Sequence, residues 1–207
     1  MAGIEVSGDH PVLPSGSQDT NATTGPSCDQ ATLAADQGTG ARLATGFAAA
    51  GLPAAAALLT HFLRGTGTAV NYRAGSAISK QAQASPAFQA VDRQVQAEIL
   101  SQLNAGQTRV RLAAGQLPTA TFESGDLYWG FRGTQGLTVT GTLHRASGRY
   151  TGTLRYVIRD SYGFPADDTL AGFGPPMRYL QTGCGAPQHP GGAHWFLDTI
   201  TVTVAFR

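Results

Sequence analysis

The apolar positions of the chain change period near Gly106, and that change divides it into a helical front and a stranded back. Residues 1 to 30 come before either pattern: they are rich in Ser, Thr, Gly, Pro, Asp and Asn, which predicts a flexible N-terminal arm with little core. From Ala31 the chain is alanine-rich. Leu43, Phe47, Leu52, Leu58, Leu59, Phe62 and Leu63 then recur with no acid between Arg42 and Arg64. Pro53 removes a backbone donor inside that run, so two helices broken at Gly51-Leu52-Pro53 are expected. Gly65-Thr-Gly67 supplies the stop. A longer helix is expected from Ser85, as N-cap, to about Asn104. Pro86 takes its first position, and Phe88, Val91, Val95, Ile99 and Leu103 mark one face.

After Gly106 the period becomes two. Val110 and Leu112 alternate with Arg109 and Arg111, and Leu137, Val139 and Leu143 alternate with threonines. Segments 137–144 and 149–159 flank Arg145-Ala-Ser-Gly148 and predict a hairpin. Ile200, Val202, Val204 and Phe206 predict a closing strand in the same sheet, and Leu127 to Phe131 reads as a further strand. The expected architecture is α+β: a flexible arm over 1–30, then one domain over 31–207. Its helices (31–104) would pack on antiparallel strands (107–207) forming a curved sheet or a half-open β-barrel.

Composition narrows the function. A formal net charge of +1 with 13% charged residues gives no field to attract nucleic acid. Residues 41–63 are apolar enough to raise membrane contact as an alternative to a buried helical pair, although Gly, Pro, Thr and His61 interrupt them. Met1-Ala-Gly-Ile-Glu-Val lacks the basic and apolar regions of a secretory signal, so synthesis in the cytoplasm is expected, with a dedicated system for any delivery outside the cell. Cys28 and Cys184 belong to no zinc or CxxC pattern and read equally as one disulfide or two free thiols. Phosphate-binding glycine loops, GxSxG, HExxH and dinucleotide fingerprints are absent from the sequence.

Two stretches could carry chemistry. Arg159-Asp160-Ser161-Tyr162-Gly163-Phe164-Pro165-Ala166-Asp167-Asp168 lies where the second hairpin strand ends. Carboxylates there could hold Mg²⁺ while an arginine steadies phosphate, since hard cations take carboxylate and phosphate oxygens. Asp160 and Asp168 are the expected metal ligands. Tyr162, Asp167 and Arg178 complete the candidate catalytic set, with Arg178 on a helical turn, Met177 to Leu180, that could bring it toward Asp160. The second stretch, Cys184 to Trp195 with His189 and His194, allows a Cys/His nucleophile or simply a long turn.

The order of these features, with Gly152-Thr-Leu-Arg-Tyr-Val-Ile-Arg-Asp160-Ser-Tyr162 in the second hairpin strand, resembles the catalytic domain of colicin M-type bacteriocins. The resemblance implies an antibacterial phosphodiesterase using Mg²⁺ to cleave a lipid-linked cell-wall precursor between its polyprenyl and pyrophosphate parts. It also implies a half-open β-barrel. The family places a second aspartate directly after the tyrosine, where this chain has Gly163. A His-Arg pair follows in the family, where this chain has Asp167-Asp168-Thr-Leu. The role of general base would then fall to Asp167, Asp168 or His194. The competing expectation is a non-enzymatic binding or structural component, or cargo, of a larger secreted assembly, its protein partner covering the Asp160 loop.

Overall fold

The computed structural model describes residues 3–11, 28–164, 172–184 and 192–206. Its centre is the hairpin of β4 (Gly136–Ala146) and β5 (Arg149–Tyr162). The two strands pair from Gly136↔Arg159 to Ala146↔Arg149, so the connecting loop is two residues long. Both loop residues have positive φ, Ser147 at 50° and Gly148 at 80°, the geometry that matches the twist of the flanking strands. Strand β6 (Phe196–Phe206) pairs antiparallel along the other side of β5. Two more short strands join it: β1 (Ile4–His10) lies antiparallel beside β4, and β2 (Val70–Tyr72) lies parallel beside β6. Strand β3 (Val110–Leu112) closes the other edge parallel to β1, giving the order β2-β6-β5-β4-β1-β3.

The α+β class is therefore as the pattern predicts, but the sheet is open and mixed, not a half-open barrel or an all-antiparallel sheet. Segments 4–10 and 70–72 come from regions expected to be an arm and a helical half. Each is short and carries at most one buried residue, so its strand character comes from backbone pairing with distant partners and not from its own side chains. Residues 12–27 of the expected arm lie outside the described residues. Leu127 to Phe131, expected as a strand, is instead the helix α5 (Gly125–Phe131). Its buried Leu127, Gly130 and Phe131 follow the i, i+3, i+4 spacing that a short apolar run does not distinguish from a strand.

Helices cover one face of the sheet. Helices α1 (Gln30–Ala49) and α2 (Pro53–Leu63) break at the expected proline, and Ala55, Leu58, Leu59 and Phe62 of α2 are fully buried. Among the described residues no helix is long and apolar enough to cross a membrane; segment 41–63 packs inward as a helical pair. Helix α4 (Pro86–Asn104) starts at the Ser85 cap and sets Phe88 edge-on to Tyr156 at 5.2 Å, while Asp92 accepts the Tyr156 hydroxyl at 2.7 Å.

Helix side chains also seal both sheet edges, which otherwise present unpaired backbone groups. From α3 (Ala77–Ala84), Ser79 and Gln83 donate to the carbonyls of Thr201 and Thr203, beyond the point where β2 stops. From α4, the Gln102 amide both accepts from and donates to the Arg111 backbone of β3. A disulfide joins Cys28, just before α1, to Cys184, beyond α6 (Gly174–Arg178), with Cα atoms 5.0 Å apart. It settles the thiol alternative and ties the front of the chain to the segment between β5 and β6.

The start of α2 shows how tertiary contacts replace local signals. Leu52 offers no side-chain cap, and Asp126 of α5 supplies one, accepting the Ala55 N–H at 2.9 Å in a buried position. A buried charged acceptor at a helix N-terminus satisfies an orphan donor and complements the helix dipole. Asp126→Ala is expected to lower unfolding free energy by about 1–3 kcal/mol, the cost of leaving that donor buried and unpaired, as read from urea titrations.

Candidate functional site

The last residues of β5 and the first of β6 build the site. In antiparallel register Ile158 faces Ile200, Asp160 faces Asp198, and Tyr162 faces Phe196. Alternation places all six side chains on the helix-covered face, so two carboxylates stand side by side within an otherwise apolar ladder. Directly opposed residues have Cβ atoms about 4.5–5.5 Å apart. The Tyr162 and Phe196 rings stack at 5.3 Å with an interplanar angle of 18°, closing the site on the side of the strand end. Phe62 of α2 meets the Tyr162 ring at 6.1 Å.

Asp198 is 0% exposed, and neither carboxylate oxygen has a hydrogen-bond partner among the described residues. Asp160 is 7% exposed and accepts one hydrogen bond, from the Ser161 backbone N–H at 2.9 Å. Burial raises both acids. It carries Asp160 to about 7 and holds Asp198 well above the usual carboxylate range, with the Asp160 charge pushing Asp198 further up. Two adjacent buried carboxyls cannot both ionise cheaply, so charge on one opposes ionisation of the other and the two titrations are linked.

Tyr72 of β2 lies near both Asp198 and Asp126. The Tyr72 phenol is pushed up to about 12, first by burial and then by the charges of Asp198 and Asp126. Tyr72 packs edge-on to Phe131 at 5.7 Å.

Of the residues singled out in the sequence, Asp160 and Tyr162 come together here, but both face the core and not an open loop. Asp167, Asp168 and His189 lie outside the described residues. Arg159 is on the opposite, solvent-facing side of the sheet, ion-paired to Asp9 at 2.8 Å and bonded to Thr138, so it cannot serve Asp160. Arg178 ends α6, which packs against α1, and no hydrogen bond or ion pair joins it to Asp160 among the described residues. Cys184 is held in the disulfide, which removes the cysteine nucleophile. His194 packs against Gly67, its Nδ1 2.5 Å from the Trp195 carbonyl.

Asp198 was not anticipated from the sequence. Its signal was an acid on the apolar phase of an alternating strand, Phe196-x-Asp198-x-Ile200-x-Val202, where half-buried strands carry hydrophobes. Among the described residues no group of three or more His, Cys, Asp or Glu side chains gathers to hold a metal. The described carboxylates at this point are those of Asp160 and Asp198; Asp168, the other expected metal ligand, lies outside the described residues. Comparisons with known proteins find no family model, no curated protein and no solved structure that matches this chain.

A carboxyl whose folded pKa lies above its ordinary value, about 3.9, binds more protons folded than unfolded between the two values. Stability from this pair is therefore greatest in acid and declines as pH rises from about 4 toward about 7, opposite to an ion-paired aspartate. The thermal midpoint of the wild type is expected to fall across that window. Asp198→Asn, which removes the second charge at constant shape, is expected to flatten the profile and raise the midpoint at neutral pH; differential scanning calorimetry at stepped pH checks both.

Proposed function

We propose that the chain is a hydrolase of the antibacterial-effector kind whose acid–base centre is the Asp160–Asp198 pair. The observation that carries this reading is the fully buried, unpartnered carboxylate of Asp198 beside Asp160. Such a pair costs stability, with only the Ser161 N–H to offset the burial of Asp160, and strongly perturbed acids of this sort concentrate at sites of chemistry. The substrate class follows from the resemblance of Gly152 to Tyr162 to colicin M-type domains: a phosphate ester in a lipid-linked cell-wall precursor. The second carboxylate that the family carries along the chain, replaced here by Gly163, is supplied across the ladder by Asp198.

A pair holding one proton can serve both halves of a hydrolysis. The ionised carboxyl takes a proton from water as its oxygen bonds to phosphorus. The protonated one gives its proton to the departing polyprenyl oxygen as that P–O bond breaks. The pair ends as it began, with one proton, and no net charge has moved.

The competing reading, a non-enzymatic component with its interface over Asp160, leaves the cost of burying Asp198 beside Asp160 without a reason. The test is release of polyprenol from a lipid-linked pyrophosphate saccharide, assayed with and without added Mg²⁺. Asp160→Asn and Asp198→Asn are each expected to lower the rate about 10²-fold or more, the usual contribution of a positioned acid or base. Unchanged turnover in both variants, or no release by the wild type, overturns the proposal.

A further inference from the structure

The face of the sheet turned away from the helices has a distinct chemistry. Two glycines near the middle of the central hairpin set its shape. A Cβ on Gly141 would lie 2.5 Å from the Thr153 carbonyl oxygen, and one on Gly152 would collide with the Thr142 carbonyl, so only glycine lets the two strands coil this tightly. Behind them the outer face forms a shallow, open hollow of about 690 Å³, lined by the hydroxyls of Ser7, Thr140, Thr142 and Thr153 together with His144, Arg155 and the Glu5 carboxylate. Register sets the polar side chains in rows, such as Ser7–Thr140–Arg155–Thr203 across four strands, in which Arg155 stands between hydroxyls.

The charges on this face leave one sign free. Glu5 is engaged by Arg109 at 2.8 Å and Asp9 by Arg159 at 2.8 Å. Arg155 has no carboxylate partner among the described residues; its nearest bond is a long 3.5 Å contact to the Thr201 hydroxyl. Among the described residues the exposed side of the sheet offers no aromatic platform for stacking bases, and Leu197 is the one large exposed apolar side chain. That excludes the grip used on single-stranded nucleic acid and the apolar centre of a protein interface.

We propose that this concave face is a binding site for an anionic polysaccharide. Hydroxyl rows about 4.8 Å apart across strands meet successive sugar hydroxyls, and the Arg155 guanidinium takes the acidic group in a charge-assisted bond. The site is on the opposite side of the sheet from Asp160 and Asp198 and stands independently of the hydrolase reading.

The test uses the full chain and isothermal titration with polygalacturonate oligomers, against dextran of equal length and inorganic polyphosphate. Binding of polygalacturonate that weakens with salt, with dextran and polyphosphate at least about tenfold weaker, is the expected result. Arg155→Ala is expected to cost about tenfold or more in affinity, and the double change Thr140→Val with Thr153→Val a comparable loss. Asp198→Asn is expected to leave binding unchanged, which separates this site from the acid pair. No binding of polygalacturonate, equal binding of dextran or polyphosphate, or full affinity in Arg155→Ala overturns the proposal.

Discussion

Everything in this molecule hangs on the register of β5 against its two neighbours. Strand β5 runs for 14 residues through the middle of the sheet, hydrogen-bonded on one side to β4 and on the other to β6. Side chains alternate with a period of two, so a slip of one residue would turn its whole inner set to solvent. In the register observed, Leu154, Tyr156 and Ile158 enter the core, Thr153, Arg155 and Arg159 face water, and Asp160 meets Asp198. The two faces of one strand thus present two chemistries: a buried acid pair under the helices and a hydroxyl and arginine surface outside.

The remaining elements hold that register in place. The Ser147-Gly148 turn, with positive φ at both residues, admits one alignment of β4 and β5. Phe88 and Asp92 of α4 grip Tyr156 from below by its ring and hydroxyl. Side chains of α3 and α4 occupy the backbone groups of β6 and β3 that pairing leaves free, so the open sheet does not need to close into a barrel to protect its edges. The disulfide restrains Cys184, in the segment between β5 and β6, against the start of α1.

The acid pair works against this stability. Ile158, Ile200, Tyr162 and Phe196 flank it in apolar positions that a leucine or valine could fill without penalty, yet two carboxyls stand there. The same-face rungs on either side, Ile158 with Ile200 and Tyr162 with Phe196, carry no carboxyl, so the local conflict is confined to one rung of the ladder. Burial raises both acids, and protonation lowers the cost of the rung by removing buried charge.

Local periodicity in the chain determined α1 and α2 with the break at Pro53, α4 from its Ser85 cap, the β4–β5 hairpin and β6, because each is long enough for side-chain spacing to declare its period. The helical turn carrying Arg178 was legible in the chain as well. Tertiary structure decided the rest. Segments 4–10 and 70–72 became strands through backbone bonds to partners 60 or more residues away in the chain, and such bonds leave no mark in composition. Leu127 to Phe131 became helical because α2 lay ready to receive one apolar side and Asp126 could cap its partner. The pairing of Cys28 with Cys184, and of Asp160 with Asp198, depended on which segments meet: a side chain's period is written in its neighbours along the chain, whereas its partner is set by the packing of the whole molecule.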